Sequence, residues 1–157
     1  MIIRKFINFY LKSQNCIFFK GKGKKNALVS YIKIPAFHCP AYYKSSHNNK
    51  YFALALVKAL SENGYNVYVY DYLDENIDYS IHYDIFVGHS TSFSRISKKM
   101  SPSTRKFLLV TGSNPDFGNE QQRIRAQELW KRKGIYIDVY ADNIVPDVKE
   151  NFMIADA

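Results

Sequence analysis

His47-Asn-Asn-Lys-Tyr-Phe-Ala-Leu-Ala-Leu-Val-Lys-Ala-Leu-Ser-Glu-Asn-Gly-Tyr-Asn-Val-Tyr-Val-Tyr-Asp-Tyr72 changes its apolar period once, and that change decides the fold. Phe52, Ala55, Leu56, Ala59 and Leu60 recur at helical spacing and predict a core-facing stripe on a helix over 47–63. Ser45 or Ser46 offers a cap at its start, and Gly64 supplies a left-handed stop at its end. Beyond the glycine, Val67-Tyr-Val-Tyr-Asp-Tyr72 has the β-branched and aromatic composition of a strand. Asn63-Gly-Tyr-Asn66 is then the tight helix-to-strand turn of a βαβ unit.

The same alternation extends both ways. Upstream, Ala27-Leu-Val-Ser-Tyr-Ile-Lys-Ile34 predicts a strand ended by Pro35. Downstream come a strand over 84–88, a short helix over 94–100 and a strand over 105–111, whose unbroken apolar run predicts cover on both faces. Asn114-Pro115-Asp116 gives the next helix a cap, a first-turn proline and an acid at its positive end. Lys131-Arg-Lys-Gly134 gives it cations and a glycine stop at the other end. Ile135-Tyr-Ile-Asp-Val139 predicts a fifth strand, and Pro146 the start of a last helix. Strand and helix in alternation imply an α/β, Rossmann-like open parallel sheet of about five or more strands with helices on both faces. There is no internal repeat and no low-complexity tract.

The 157 residues suffice for one globular domain, and 46% hydrophobic residues exclude wholesale disorder. Two cysteines, Cys16 and Cys39, can build neither a disulfide framework nor a four-cysteine zinc site. The net charge of +8 invites a nucleic-acid partner, but its distribution argues against one. Residues 1–26 hold seven basic residues and no acidic one, which leaves a net of +1 for 27–157. A nucleic-acid-binding fold would spread its basic residues over a face of the folded domain. The chain therefore divides into a basic amphipathic segment with its linker, 1–26, and an α/β body, 27–157.

Within the first segment, Ile2, Ile3, Phe6, Ile7 and Tyr10 fall at helical spacing among Arg4, Lys5 and Lys12. The stretch is too short to span a bilayer and lacks the h-region of a secretory signal. It fits either a helix lying on an anionic membrane surface through residues 1–12 or an arm packed on the domain. Gly21-Lys-Gly-Lys-Lys25 lacks the spacing of a phosphate loop and predicts a flexible linker. A cytoplasmic location follows, free or peripheral on the inner face of the membrane.

In open parallel sheets ligands bind outside the carboxyl ends of the strands. Those ends select 35–47, 71–76, 89–94 and 112–117, which contain His38, His47, His89, Ser45, Ser46, Ser90, Thr91, Ser92 and Ser113. Hydroxyls and helix-start amides suit a sugar or a phosphate, and they serve equally as turn formers and caps. The histidines show no metal-ligand spacing, and no nucleophile elbow or dinucleotide fingerprint is present. Cys39 is either a strand-end nucleophile or a plain loop thiol.

Three phrases resemble the acceptor-side, N-terminal half of a GT-B glycosyltransferase of the group 1, family 4-like kind. The first is His47-Asn48-Asn49 running into a helix that closes Ala-Leu-Ser-Glu-Asn-Gly-Tyr-Asn-Val67. The second is Tyr83-Asp-Ile-Phe-Val-Gly-His89. The third is Thr111-Gly-Ser-Asn-Pro115 followed by Asn119, Glu120, Arg123, Leu129 and Lys131-Arg-Lys-Gly134. The resemblance spans 27–157 and implies one of two Rossmann-like domains facing across a cleft. It implies transfer of a glycosyl group from a nucleotide-sugar donor to a hydroxyl of a sugar or glycan acceptor, with no metal and no separate cofactor. The donor-binding motifs and the glycine pair that many relatives carry after the first strand are missing, so a fragment, or half of a split enzyme, is expected. By the same resemblance His89 becomes the base or acceptor contact. Ser90, Thr111, Ser113 and Asn114 become acceptor or donor contacts, and Ser46 and His47 approach phosphate. The alternative class is a non-catalytic Rossmann-like binding or interaction module.

Overall fold

The computed structural model describes residues 15–33, 48–89, 92–112, 114–138 and 149–157. It is an α/β structure built on a five-stranded mixed sheet, mostly parallel. The elements run β1 (Ile17–Phe19), β2 (Asn26–Tyr31), α1 (Asn48–Glu62), β3 (Asn66–Asp71), β4 (Ile85–His89), α2 (Ser92–Ser97), β5 (Arg105–Leu109), α3 (Pro115–Lys133) and α4 (Lys149–Ile154). The strands lie in the order β1-β3-β2-β4-β5, with β1 antiparallel to β3 and every other pair parallel.

This order contains a reversal. From β2 the chain passes through α1 to β3 on one side, then crosses back to β4 on the other side of β2 and continues outward to β5. The crevice between the carboxyl ends of β2 and β4 is thus the topological switch point, where loops leave the sheet in opposite directions. Tyr31 ends one of these strands and His89 the other.

Side chains of a strand alternate in direction, and successive residues of β2 enter different apolar clusters. Val29 and Tyr31 join Ala53 and Val57 of α1, Val67 and Val69 of β3, and Val87 of β4. Leu28 joins Tyr70, Tyr83, Phe86, and Phe93 and Ile96 of α2, with Ile154 of α4 packed against them. The two clusters anchor β2 and β4 firmly and so fix where their ends stand.

Local signals came through intact. Gly64 adopts φ +87°, a left-handed value open to glycine. Asn114 caps α3 by accepting from the backbone N–H of Asp116 and Phe117, Pro115 opens the helix, and Gly134 closes it at φ 65°.

Other expectations need correction. The core stripe of α1 is rotated by one position: Ala53 and Val57 are buried, with Leu56 and Leu60 packed beside them, while Phe52, Ala55 and Ala59 are exposed. Nine of the ten residues 51–60 are apolar or aromatic, so spacing alone left the buried face of this helix undetermined. The fifth strand is not 135–139. Residues 135–138 carry no strand, and Ile135, Tyr136 and Ile137 are exposed. The fifth strand of the sheet is instead β1, from a segment read as an amphipathic arm and linker, and it makes the sheet mixed instead of wholly parallel. β5 sends Phe107 and Leu109 toward the first cluster and Leu108 toward the second. It is one of the sheet's two edge strands and is only half-buried, bordered by the backbone of Asp156 and Ala157.

The glycines of the expected flexible linker are packed. Gly23 N–H donates to Gly64 O at 2.9 Å and Gly21 N–H to Asn66 Oδ1 at 3.1 Å. A Cβ at Gly21 or Gly23 would stand 2.2 or 2.3 Å from the carbonyl oxygen of Tyr65 or Gly64, so both must be glycine for the chain to pass this closely.

Candidate functional site

His89 is the last residue of β4 and sits among aromatic rings at the switch point. Its imidazole meets Tyr31 edge-on at 5.2 Å and Tyr72 edge-on at 5.9 Å between centroids. Nε2 lies 2.9 Å from Thr111 Oγ1 on the exposed side of the ring, whereas Nδ1 is buried and has no hydrogen-bond partner among the described residues. The backbone is pinned as well, since Ser92 Oγ at the start of α2 donates to the His89 carbonyl at 2.9 Å.

The surroundings set the protonation state. Burial disfavours the charged imidazolium and pulls His89 below the ordinary 6.5, so the ring is neutral at pH 7. Tyr31 is pushed up by burial, with Thr111 drawing it part of the way back. Its hydroxyl points to Thr111 but makes no hydrogen bond of ordinary geometry.

A pH experiment checks this environment. The ring-carbon NMR signal of His89 should titrate with a midpoint below 6.5. A histidine whose folded value is depressed binds fewer protons than in the unfolded chain between the two values. Its contribution to stability is therefore present above about pH 6.5 and is lost as pH falls through the folded midpoint. A midpoint at or above 6.5 would mean that water reaches the ring freely.

The carboxyl edge also carries a charged cluster. Lys33 Nζ pairs with Asp74 Oδ2 at 3.0 Å, and their side chains are 5% and 24% exposed. Asp74 Oδ2 also accepts from Asp71 N–H at 2.8 Å, and Lys33 N–H donates to Asp71 Oδ2 at 3.3 Å. Arg95 of α2 donates to the Asp74 carbonyl at 3.1 Å. These bonds lock the ends of β2 and β3 together directly beside Tyr72.

Next to the histidine a cleft of about 650 Å³ opens between α1 and the end of β5, lined by Asn49, Tyr51, Phe52, Ala55, Leu109, Val110 and Thr111. Thr111 belongs to both features, joining the cleft to His89.

Of the residues expected from the sequence, the structure brings His89 and Thr111 together. Asn114 stands at the start of α3 with its Oδ1 engaged in capping. Ser46, His47, Ser90 and Ser113 lie outside the described residues, as do His38, Cys39, Ser45 and Thr91. Sequence reasoning missed Tyr31, Tyr72 and the cleft residues Tyr51, Phe52 and Val110. No signal in the sequence marked Tyr31, because in a strand expected over 27–34 it stands in the middle, where an aromatic residue reads as core. Among the described residues no group of three or more His, Cys, Asp or Glu could hold a metal ion, and no helix is long and apolar enough to cross a membrane. No family model, no curated protein and no solved structure matches this chain.

Proposed function

We propose that the chain is a Rossmann-like domain, with helices on both faces of its sheet, forming the acceptor-side half of a GT-B glycosyltransferase. The observation that carries this is the neutral His89 at the switch point, its Nε2 on the open side and joined through Thr111 to a cleft. The division of β2 side chains between a cluster with α1 and a cluster with α2 and α4 supports the two-faced architecture.

The chemistry follows from that ring. Glycosyl transfer forms a bond from an acceptor oxygen to the anomeric carbon, while the bond to the diphosphate breaks and its electron pair leaves with the nucleotide. The acceptor hydroxyl loses a proton, and a neutral imidazole can take it. Thr111 Oγ1 marks a position from which a hydroxyl reaches Nε2. The nucleotide-sugar donor is held by a second domain. The sugar or glycan acceptor lies on this one, and membrane contact through residues 1–12 is part of the same proposal.

The test is label transfer from a nucleotide sugar by this chain joined to a donor-binding domain. His89→Ala should lower turnover about a hundredfold or more, the range of general-base catalysis. A loss of less than about threefold removes His89 from that role. A non-catalytic interaction module is the second reading. It draws on α3, which buries no residue and exposes Phe117, Ile124 and Trp130. Turnover of any nucleotide sugar decides against it.

A further inference from the structure

Helix α1 carries more apolar surface than the sheet uses. With Ala53 and Val57 turned to the core, the neighbouring stripe of Tyr51, Phe52 and Ala55 is left outside, and the two aromatic residues are 55% and 44% exposed. Leu109 and Val110 face this stripe from the end of β5. The cleft between them falls within the roughly 300–1,000 Å³ of small-molecule sites.

Its lining is one-sided in chemistry. Of the seven lining residues among the described ones, five are apolar or aromatic, the polar ones are Asn49 and Thr111, and none is charged. A bare sugar would leave most of its hydroxyls facing carbon, and a phosphate would meet no cation among these residues. At one end, however, polar atoms converge. Thr111 holds His89, and behind them Tyr31, only 2% exposed, turns its hydroxyl toward Thr111 without a hydrogen bond of ordinary geometry among the described residues. The Tyr31 ring lies 6.2 Å from that of Phe52 and 5.2 Å from that of His89, so the hydroxyl-seeking end and the apolar trough share a wall. A buried hydroxyl so poorly paired carries a cost that a ligand hydroxyl can relieve.

We propose that this cleft binds an amphipathic acceptor, one that carries an alkyl chain beside its sugar hydroxyls. The chain lies along Phe52, Ala55, Leu109 and Val110, and the hydroxyl to be glycosylated stands at the Thr111–His89 end. This rests on the acceptor-side reading above and names the class of acceptor.

The test titrates the full chain with n-octyl β-glucoside below its micelle concentration, with methyl β-glucoside and with 1-octanol, followed by amide NMR shifts. Octyl glucoside should bind, shift Asn49, Tyr51, Phe52, Val110 and Thr111, and bind at least about tenfold more tightly than methyl glucoside, since each buried methylene favours association. Phe52→Ala and Val110→Asn change exposed positions and should each weaken octyl glucoside about tenfold. Equal binding of the octyl and methyl glucosides overturns the apolar trough and leaves the acceptor reading standing. Octanol binding as tightly as octyl glucoside keeps the trough and overturns the acceptor reading. No binding of octyl glucoside, or binding that both substitutions leave intact, overturns the proposal.

Discussion

Replacing Lys33 by methionine should destabilise the protein by about 3 kcal/mol, among the largest effects of any single change to a polar side chain here. The ammonium is almost wholly enclosed and faces Asp74, whose carboxylate is itself three-quarters buried. Methionine fills the stem's volume but leaves Asp74 a partly buried charge with, among the described residues, the Asp71 N–H and remaining solvent for stabilisation. Asp74 keeps some contact with water, which places the expected cost at the lower end of the range for a broken buried pair. For a chain of this size the thermal midpoint should drop by roughly 6–12 °C. Adding Asp74→Asn removes the stranded charge and keeps an acceptor for Asp71 N–H, so the double variant should recover a substantial part of the loss. Lys58–Glu62 provides the contrast: it spans 3.7 Å with side chains 72% and 65% exposed, and Lys58→Ala should shift stability by less than about 0.5 kcal/mol. A Lys33→Met loss equally small would mean that solvent screens the inner pair too. The site should respond as well, because Lys33, Asp71 and Asp74 hold the strand ends on which Tyr31 and Tyr72 frame His89.

What could be read from the sequence follows the distance over which each feature is decided. Gly64, Gly134 and Asn114 were legible because a left-handed stop or a cap is fixed within one helical turn. Four strand positions were legible to within a few residues because β-branched and aromatic runs are bounded by turn residues. Failure came where a distant partner decides. Ile17-Phe-Phe19 is a strand only because Val67 to Val69 lie alongside, and nothing in a basic, glycine-rich segment announces that pairing. Ile135-Tyr-Ile137 has strand composition but no strand beside it. The same logic divides the site. His89 was legible because strand ends in a parallel sheet are where polar groups are useful. The cleft was not, because the exposed face of α1 is as apolar as its buried face and only the sheet decides between them.

Phe86→Ala should be the most damaging core truncation on the strand that carries His89, with a loss of about 3–5 kcal/mol. Phe86 is fully buried, and its ring stacks on Phe93 of α2 at 5.2 Å and 18°. That stack also explains the residue before the histidine. A Cβ on Gly88 would stand 2.3 Å from Phe86 Cζ, 2.9 Å from Phe86 Cε2 and 2.8 Å from Phe93 Cδ2. Both rings are enclosed and have no free direction in which to yield, so Gly88→Ala overpacks the cluster and should cost about 1–3 kcal/mol. In the Phe86→Ala background two of these three contacts vanish, and the new methyl enters the cavity just created. The double variant should therefore lose less than the two single losses together, by an interaction of about 0.5–3 kcal/mol, measurable by urea unfolding of the four proteins. Additive losses would show that the β4 backbone, and not the aromatic stack, resists a side chain at 88. Under the stacking account, Gly88→Ala alone also moves the end of β4. The Nε2 to Thr111 contact of 2.9 Å is made by the next side chain along, so it should lengthen and the NMR titration of His89 should shift with it. Glycine at 88 is thus where the packing of the core sets the position of the candidate base.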